Sequence, residues 1–175
     1  MSTLLAIVHF FLELCLLRSK PQDLPASPVL LALVLATGLF GGVLLSVTAG
    51  ARLMEGVGQT ALDSLLMIGA LHVALKLTGK LPRFVQTATA LVGADTLIGL
   101  LALLPVGLAS PTLEDSPQLL LAGLMFMALV AWSVLITAHI LRHAFDIKLM
   151  QGAIIAVAFD ILSFVVVGGL TQGPA

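Results

Sequence analysis

The chain has 175 residues, of which 59% are hydrophobic and 10% charged; its mean hydropathy is +1.16 and its formal net charge −1. A soluble domain carries about 25% charged residues, so too few polar side chains are present to cover a water-exposed surface, and the charge balance gives no footing for nucleic acid. A single cysteine, Cys15, excludes an internal disulfide. The expected fold is all-α: an integral membrane bundle of five transmembrane helices preceded by a short interfacial N-terminal helix.

Residues 1–27 read as that helix and a proline-rich elbow, and residues 28–175 as the transmembrane domain. The apolar core of "TLLAIVHFFLELCLLR" is shorter than the roughly 20 residues a spanning helix needs. His9 and Glu13 are four apart and share a face, as in a helix lying in the interface. The competing reading is a sixth span with the N-terminus outside. Arg18 and Lys20 follow the apolar run instead of preceding it, which does not fit a cleavable signal peptide. "SKPQDLPASP" is the elbow.

The spans are expected at about 28–48, 57–77, 84–106, 118–141 and 149–170. In the first, Gly38, Gly42, Ser46 and Gly50 repeat every four residues, a small-residue run that lets backbones approach within the bundle or between subunits. The second holds Asp63 and His72. Asp63, near its outer end with Glu55 and Ser64 close in sequence, reads as a solvated helix end; His72 reads as a hydrogen-bonded interior histidine.

The third and fifth spans each carry one acid near the centre, Asp95 in "LVGADTLIGL" and Asp160 in "IIAVAFDILSF". A carboxylate in the middle of a bilayer is costly unless it faces protein or water. Ala88, Gly99 and Ala102 share a face with Asp95, and Gly152, Ala156 and Gly168 with Asp160; small residues of this kind mark helix contacts. No lysine or arginine stands at that depth, so both acids are expected to rest neutral. Either they are interhelical glue, hydrogen-bonded to Thr37, Thr96, Ser133 or backbone, or they form a proton or cation site. A cavity reaching both would favour transport, and a dry bundle would favour structure.

The fourth span has Trp132 at its middle, where core packing is expected. At its end His139, Arg142, His143 and Asp146 fall at i, i+3, i+4 and i+7. Two histidines one turn apart with an acid beyond are a candidate zinc set or a pH-sensing group; the alternative is an interfacial stripe with Arg142 snorkelling to phosphate.

Alternate connections hold seven basic residues against one: Arg18, Lys20, Lys76, Lys80, Arg83, Arg142 and Lys148 against Arg52. The excess predicts a cytoplasmic N-terminus and an outside C-terminus, with Lys80, Arg83, Arg142 and Lys148 as headgroup contacts.

Two stretches, "LLMIGALHVALKLTGKLPRFVQTATALVGADTLIGLL" and "LVAWSVLITAHILRHAFDIKLMQGAIIAVAFDIL", resemble the Yip family of Ypt/Rab-GTPase-interacting membrane proteins and their bacterial relatives. The carriers are His72 near a helix end, the Gly79–Lys80 turn, Phe84 and Thr87 opening the next helix, and Trp132 leading to a basic turn and a last helix rich in small residues. The resemblance implies five spans, a cytoplasmic N-terminus and a role in membrane organisation or trafficking. The Asp-Leu-Tyr-Gly-Pro motif and long cytoplasmic N-terminal region of the eukaryotic members are missing from this sequence, which has no tyrosine, so GTPase binding is not implied.

The reading from sequence is therefore a Yip-like bacterial inner-membrane protein with a structural or accessory role. Its expected partners are the lipid bilayer and other membrane proteins, or a second copy through the first span. No cofactor and no enzyme class is indicated. A small proton- or cation-linked transporter using Asp95 and Asp160 is the first alternative. An intramembrane metal protein or enzyme using His139, His143 and Asp146 is the second.

Overall fold

The computed structural model describes residues 3–109 and 117–171, with backbone alone at residues 3, 4, 170 and 171. Within them the regular elements are helical: α1 (Thr3–Cys15), α2 (Pro28–Thr48), α3 (Leu53–Leu77), α4 (Phe84–Leu108), α5 (Pro117–Phe145) and α6 (Leu149–Thr171), with short 3-10 turns at Pro21–Asp23 and Leu81–Arg83. Helices α2 to α6 are long and apolar enough to cross a membrane. The chain is thus a multi-pass helical membrane bundle behind a short N-terminal helix. Residues 110–116, in the connection between the third and fourth expected spans, and the tail to Ala175 lie outside the described residues.

In lipid a helix must satisfy its own backbone, and local chemistry closes its ends. Ser27 Oγ accepts from the Leu30 N–H at 3.3 Å with Pro28 at the first helical position, and so starts α2. Glu55 Oε2 accepts from the Arg52 N–H at 3.2 Å, which starts α3 at Leu53 instead of residue 57. Four helices end alike. Arg18, Ala51, Lys80 and Ile147 donate backbone N–H groups to the carbonyls of Glu13, Ser46, Leu75 and Arg142, five residues back. The turn needs a positive φ at the residue before each donor: Leu17, Gly50, Gly79 and Asp146. Gly50 therefore terminates a helix and is not part of the packing run. Nothing breaks α5 before Asp146, so it continues past residue 141 to Phe145.

α4 is the central helix. It packs on α2 and α5 and carries α1 across it; α5 packs on α6, and α3 packs mainly on α2. Every residue from Thr87 to Ala94 is buried. α1 docks through Phe11, Leu14 and Cys15, with the Phe11 ring over Gly93, where a Cβ would have no room. Its other face, Leu5, Val8 and Leu12, is exposed, as is Leu16 just past its end. His9 and Glu13 share a face as expected, 3.8 Å apart. The Trp132 indole N–H donates to the Cys15 carbonyl at 3.0 Å. The elbow is tied down at Ser19, whose carbonyl lies 3.0 Å from His139 Nε2. Gln22 Nε2 donates to the His143 carbonyl at 2.6 Å, and Gln86 Nε2 to the Leu24 carbonyl at 2.6 Å.

The small-residue run of α2 is used inside the bundle. A Cβ at Gly38 would stand 2.9 Å from Val92 of α4, and one at Gly42 would stand 2.5 Å from Thr60 of α3. Ser46 lies beside Gly56 of α3 in the same seam. Of the two uses expected from sequence, within the bundle or between subunits, these contacts are of the first kind.

Candidate functional site

α3 fits less closely against α4 and α6 than against α2, and a cleft follows its inner side. Two cavities occupy the cleft. The larger, about 760 Å³, lies toward the end of the bundle carrying Lys80, Phe145 and Ile147, and its walls are mostly apolar: Met67, Leu71, Leu91, Leu141, Ala156 and Phe159. The smaller, about 470 Å³, lies toward the opposite end and is more polar, with Ser46, Gln59, Thr60, Ser64, Thr96 and Ser163 in its wall. The residues common to both are Asp63, Asp95 and Asp160.

These acids come from three helices and stand at one depth. Asp63 is ten residues from the start of α3 (63 − 53), Asp95 eleven from the start of α4 (95 − 84), and Asp160 eleven from the start of α6 (160 − 149). At 1.5 Å per residue each lies about 15–17 Å from a helix end, near the middle of a bilayer core about 30 Å thick. Asp95 is deep within the bundle, yet much of its surface is open, because it forms the cleft wall. Asp63 and Asp160 are close enough to Asp95 for the charges to interact. The Ser163 hydroxyl donates to Asp63 Oδ1. Among the described residues nothing hydrogen-bonds the carboxyls of Asp95 or Asp160. The acids do not gather around one point as the ligands of a metal ion would; among the described residues no such group of three forms.

The hydroxyls expected to serve these acids are engaged elsewhere. Thr37 donates to the Leu33 and Val34 carbonyls of its own helix, Thr96 to Val92, and Ser133 to Val130. Thr37 and Ser133 are not in the wall of either cavity. Asp63, read from sequence as a solvated helix end, belongs to the site. With α3 starting four residues early, about 6 Å of helix lies outside the expected boundary and Asp63 moves to mid-depth. His72 is exposed, edge-on to Phe84 with ring centroids 5.1 Å apart, and is not interior.

The expected metal set does not assemble. The His139 and His143 rings meet edge-on, 4.7 Å between centroids. Asp146 turns away to accept from Lys80 Nζ at 2.8 Å and Arg83 at 2.9 Å. Lys80 also donates to the Phe145 carbonyl, and Arg83 to those of His143 and Ala144 at 3.1 and 3.0 Å. Lys80 and Arg83 therefore satisfy the last carbonyls of α5, where the helix dipole favours cations. Their hydrogen bonds hold the Asp146 carboxyl below the usual carboxylate range. Arg142 and Lys148 are exposed, as headgroup contacts would be. Burial pushes the Cys15 thiol up to about 11, which disfavours the reactive thiolate.

Comparison with protein-family models, with curated proteins and with solved structures gives no match.

Proposed function

We propose that this protein is a small proton-linked transporter of the bacterial inner membrane, with Asp95 as its proton-exchanging group and Asp63 and Asp160 as electrostatic partners. One observation carries the reading: the three carboxylates stand where two cavities meet, one toward each end of the bundle, and among the described residues Lys80 at the far rim is the sole base in either wall. A lone carboxylate at this depth is tolerated when it holds a proton or faces a cation, so an acid open to two compartments can exchange one for the other. The light packing of α3 on α4 and α6 makes it the element expected to move. The excess of basic residues at the Lys80 end supports a cytoplasmic opening for the larger cavity.

The test is reconstitution into liposomes containing a pH-sensitive dye. Wild-type protein should dissipate an imposed pH gradient, and Asp95→Asn, which keeps shape but removes the titrating proton, should not, with unchanged melting. A gradient that persists with wild type, or collapses equally with Asp95→Asn, ends the proposal. A second reading, the Yip-like accessory role, draws its support from the N-terminal helix and proline elbow docked on α4 and α5. Stable co-purification of one membrane protein in mild detergent, lost on deleting residues 1–20, would favour it.

A further inference from the structure

We infer that the larger cavity is the seat of an amphipathic organic cation, an aromatic or alkyl body carrying a fixed or protonated positive centre, held with its charge at Asp95 and its body against Met67, Leu71 and Phe159. The inference deepens the proton-linked reading and rests on it. Size comes first. A volume of about 760 Å³ falls in the roughly 300–1,000 Å³ range of small-molecule sites and far exceeds what an inorganic ion fills. The lining comes second. An inorganic cation needs several oxygen ligands to replace its water, and this wall is largely hydrocarbon, with Thr78 and Thr137 as its hydroxyls. An apolar body gains from the same wall by leaving water.

Charge decides the sign. The deep end of the cavity is formed by Asp63, Asp95 and Asp160, and the carboxyls of Asp95 and Asp160 have no hydrogen-bond partner among the described residues. An anion would meet all three acids, and a neutral solute would leave those two unanswered. Lys80 offers little to an anion at the rim, because its ammonium is already bound to the Phe145 carbonyl and Asp146. Phe159, next to Asp160 and in the wall, gives a cation an aromatic ring near the carboxylates. The smaller, more polar cavity then serves as the route by which water and protons reach the same acids from the opposite end.

The probe pair is tetraphenylphosphonium and tetraphenylborate, alike in shape and opposite in charge, applied by equilibrium dialysis to the full-length protein in nanodiscs. Tetraphenylphosphonium should bind saturably, one per chain, and release protons in weakly buffered solution; tetraphenylborate should not saturate. Asp95→Asn removes the charge that attracts the phosphonium, which carries no hydrogen-bond donor, and should weaken its binding by about tenfold or more. Ala74→Phe fills the cavity from its apolar wall without replacing an acid, and should lose binding with the melting temperature preserved. Equal saturable binding of both ions, or wild-type affinity in both variants, would mean that the cleft is a general lipid-filled groove and would overturn the inference. Wild-type protein that carries protons but does not bind the phosphonium removes the organic cation and leaves the proton reading standing. Asp95-dependent phosphonium binding without proton movement does the reverse.

Discussion

Gly42 sets the spacing between α2 and α3, and enlarging it tests the seam beside the cleft. A Cβ at residue 42 would lie 2.5 Å from Thr60 Cγ2 and 3.1 Å from Thr60 Oγ1, whereas carbon atoms in contact settle at about 3.5–4.0 Å. Alanine therefore demands about 1 Å of relief. A threonine in a helix has two accessible rotamers, so Thr60 supplies part of it, and Gly42→Ala should cost about 1 kcal/mol, the low end of overpacking. Leucine adds three carbons that no rotation of Thr60 clears. α3 must then separate from α2, at about 3 kcal/mol or more. Gly58, on the same helix as Thr60, has nothing within 4 Å, so Gly58→Leu is the matched control. Apparent melting temperatures in one detergent should rank Gly58→Leu near wild type, Gly42→Ala below it and Gly42→Leu lowest. If Gly42→Leu melts with Gly58→Leu, the seam is not close-packed and the reasoning fails.

Trp132→Phe keeps an aromatic side chain, though a smaller one, and leaves the Cys15 carbonyl without its donor; the lost hydrogen bond alone should cost about 1–3 kcal/mol, read as lower melting and faster proteolysis of the first 20 residues. The Asp146 carboxyl is held below its ordinary range, so the folded state binds fewer protons than the unfolded one as the carboxyl titrates. Its stabilising contribution is present above the unfolded value of about 3.9 and is lost as pH falls through the lower folded value. Melting of wild type should thus decline between about pH 5 and pH 3 more than that of Asp146→Asn, since asparagine also accepts the positive φ there; parallel declines would count against the link. For topology, an impermeant maleimide added outside cells should label a cysteine placed at residues 110–116 and spare one at Lys148, with buried Cys15 silent in both. The reverse pattern would invert the orientation.

The spans were readable because hydropathy integrates over some twenty residues, and errors of one or two charges do not erase it. Boundaries were less readable where a charged residue does structural work. Glu55 looks like a loop residue, yet its carboxylate caps α3 from inside the first turn. That single reassignment carried Asp63 from the surface to the centre of the site. Asp95 and Asp160 stood out because no other charged residue lies near them in sequence. Their partners could not be foreseen: the hydroxyls of Thr37, Thr96 and Ser133 had backbone acceptors within their own helices, an intrahelical option always open to serine and threonine. The cleft was hidden for another reason. A cavity is a failure of packing between distant helices; α3 is the least apolar of the five spans, but composition alone does not say against which neighbours it packs loosely. The histidine pair was visible at i, i+4, but the third ligand was drawn off by Lys80 and Arg83, more than 60 residues earlier in the chain.

The docking of the first helix has a consequence for how the protein is made. α1 and its elbow pack on α4, with Phe11 over Gly93 and Gln86 on the Leu24 carbonyl, and are then fixed by hydrogen bonds from Trp132, His139 and His143, 117 to 121 residues later. At about 5–20 residues per second of synthesis, the Cys15 and Ser19 carbonyls and the Gln22 amide wait roughly 6–24 s before α5 exists to bond them. During that interval the segment rests on α4 and the surrounding lipid without the hydrogen bonds that later fix it. Closing the bundle is therefore a late event in biogenesis, and a chain stalled before residue 132 should leave its N-terminal helix open to protease or to capture by quality control.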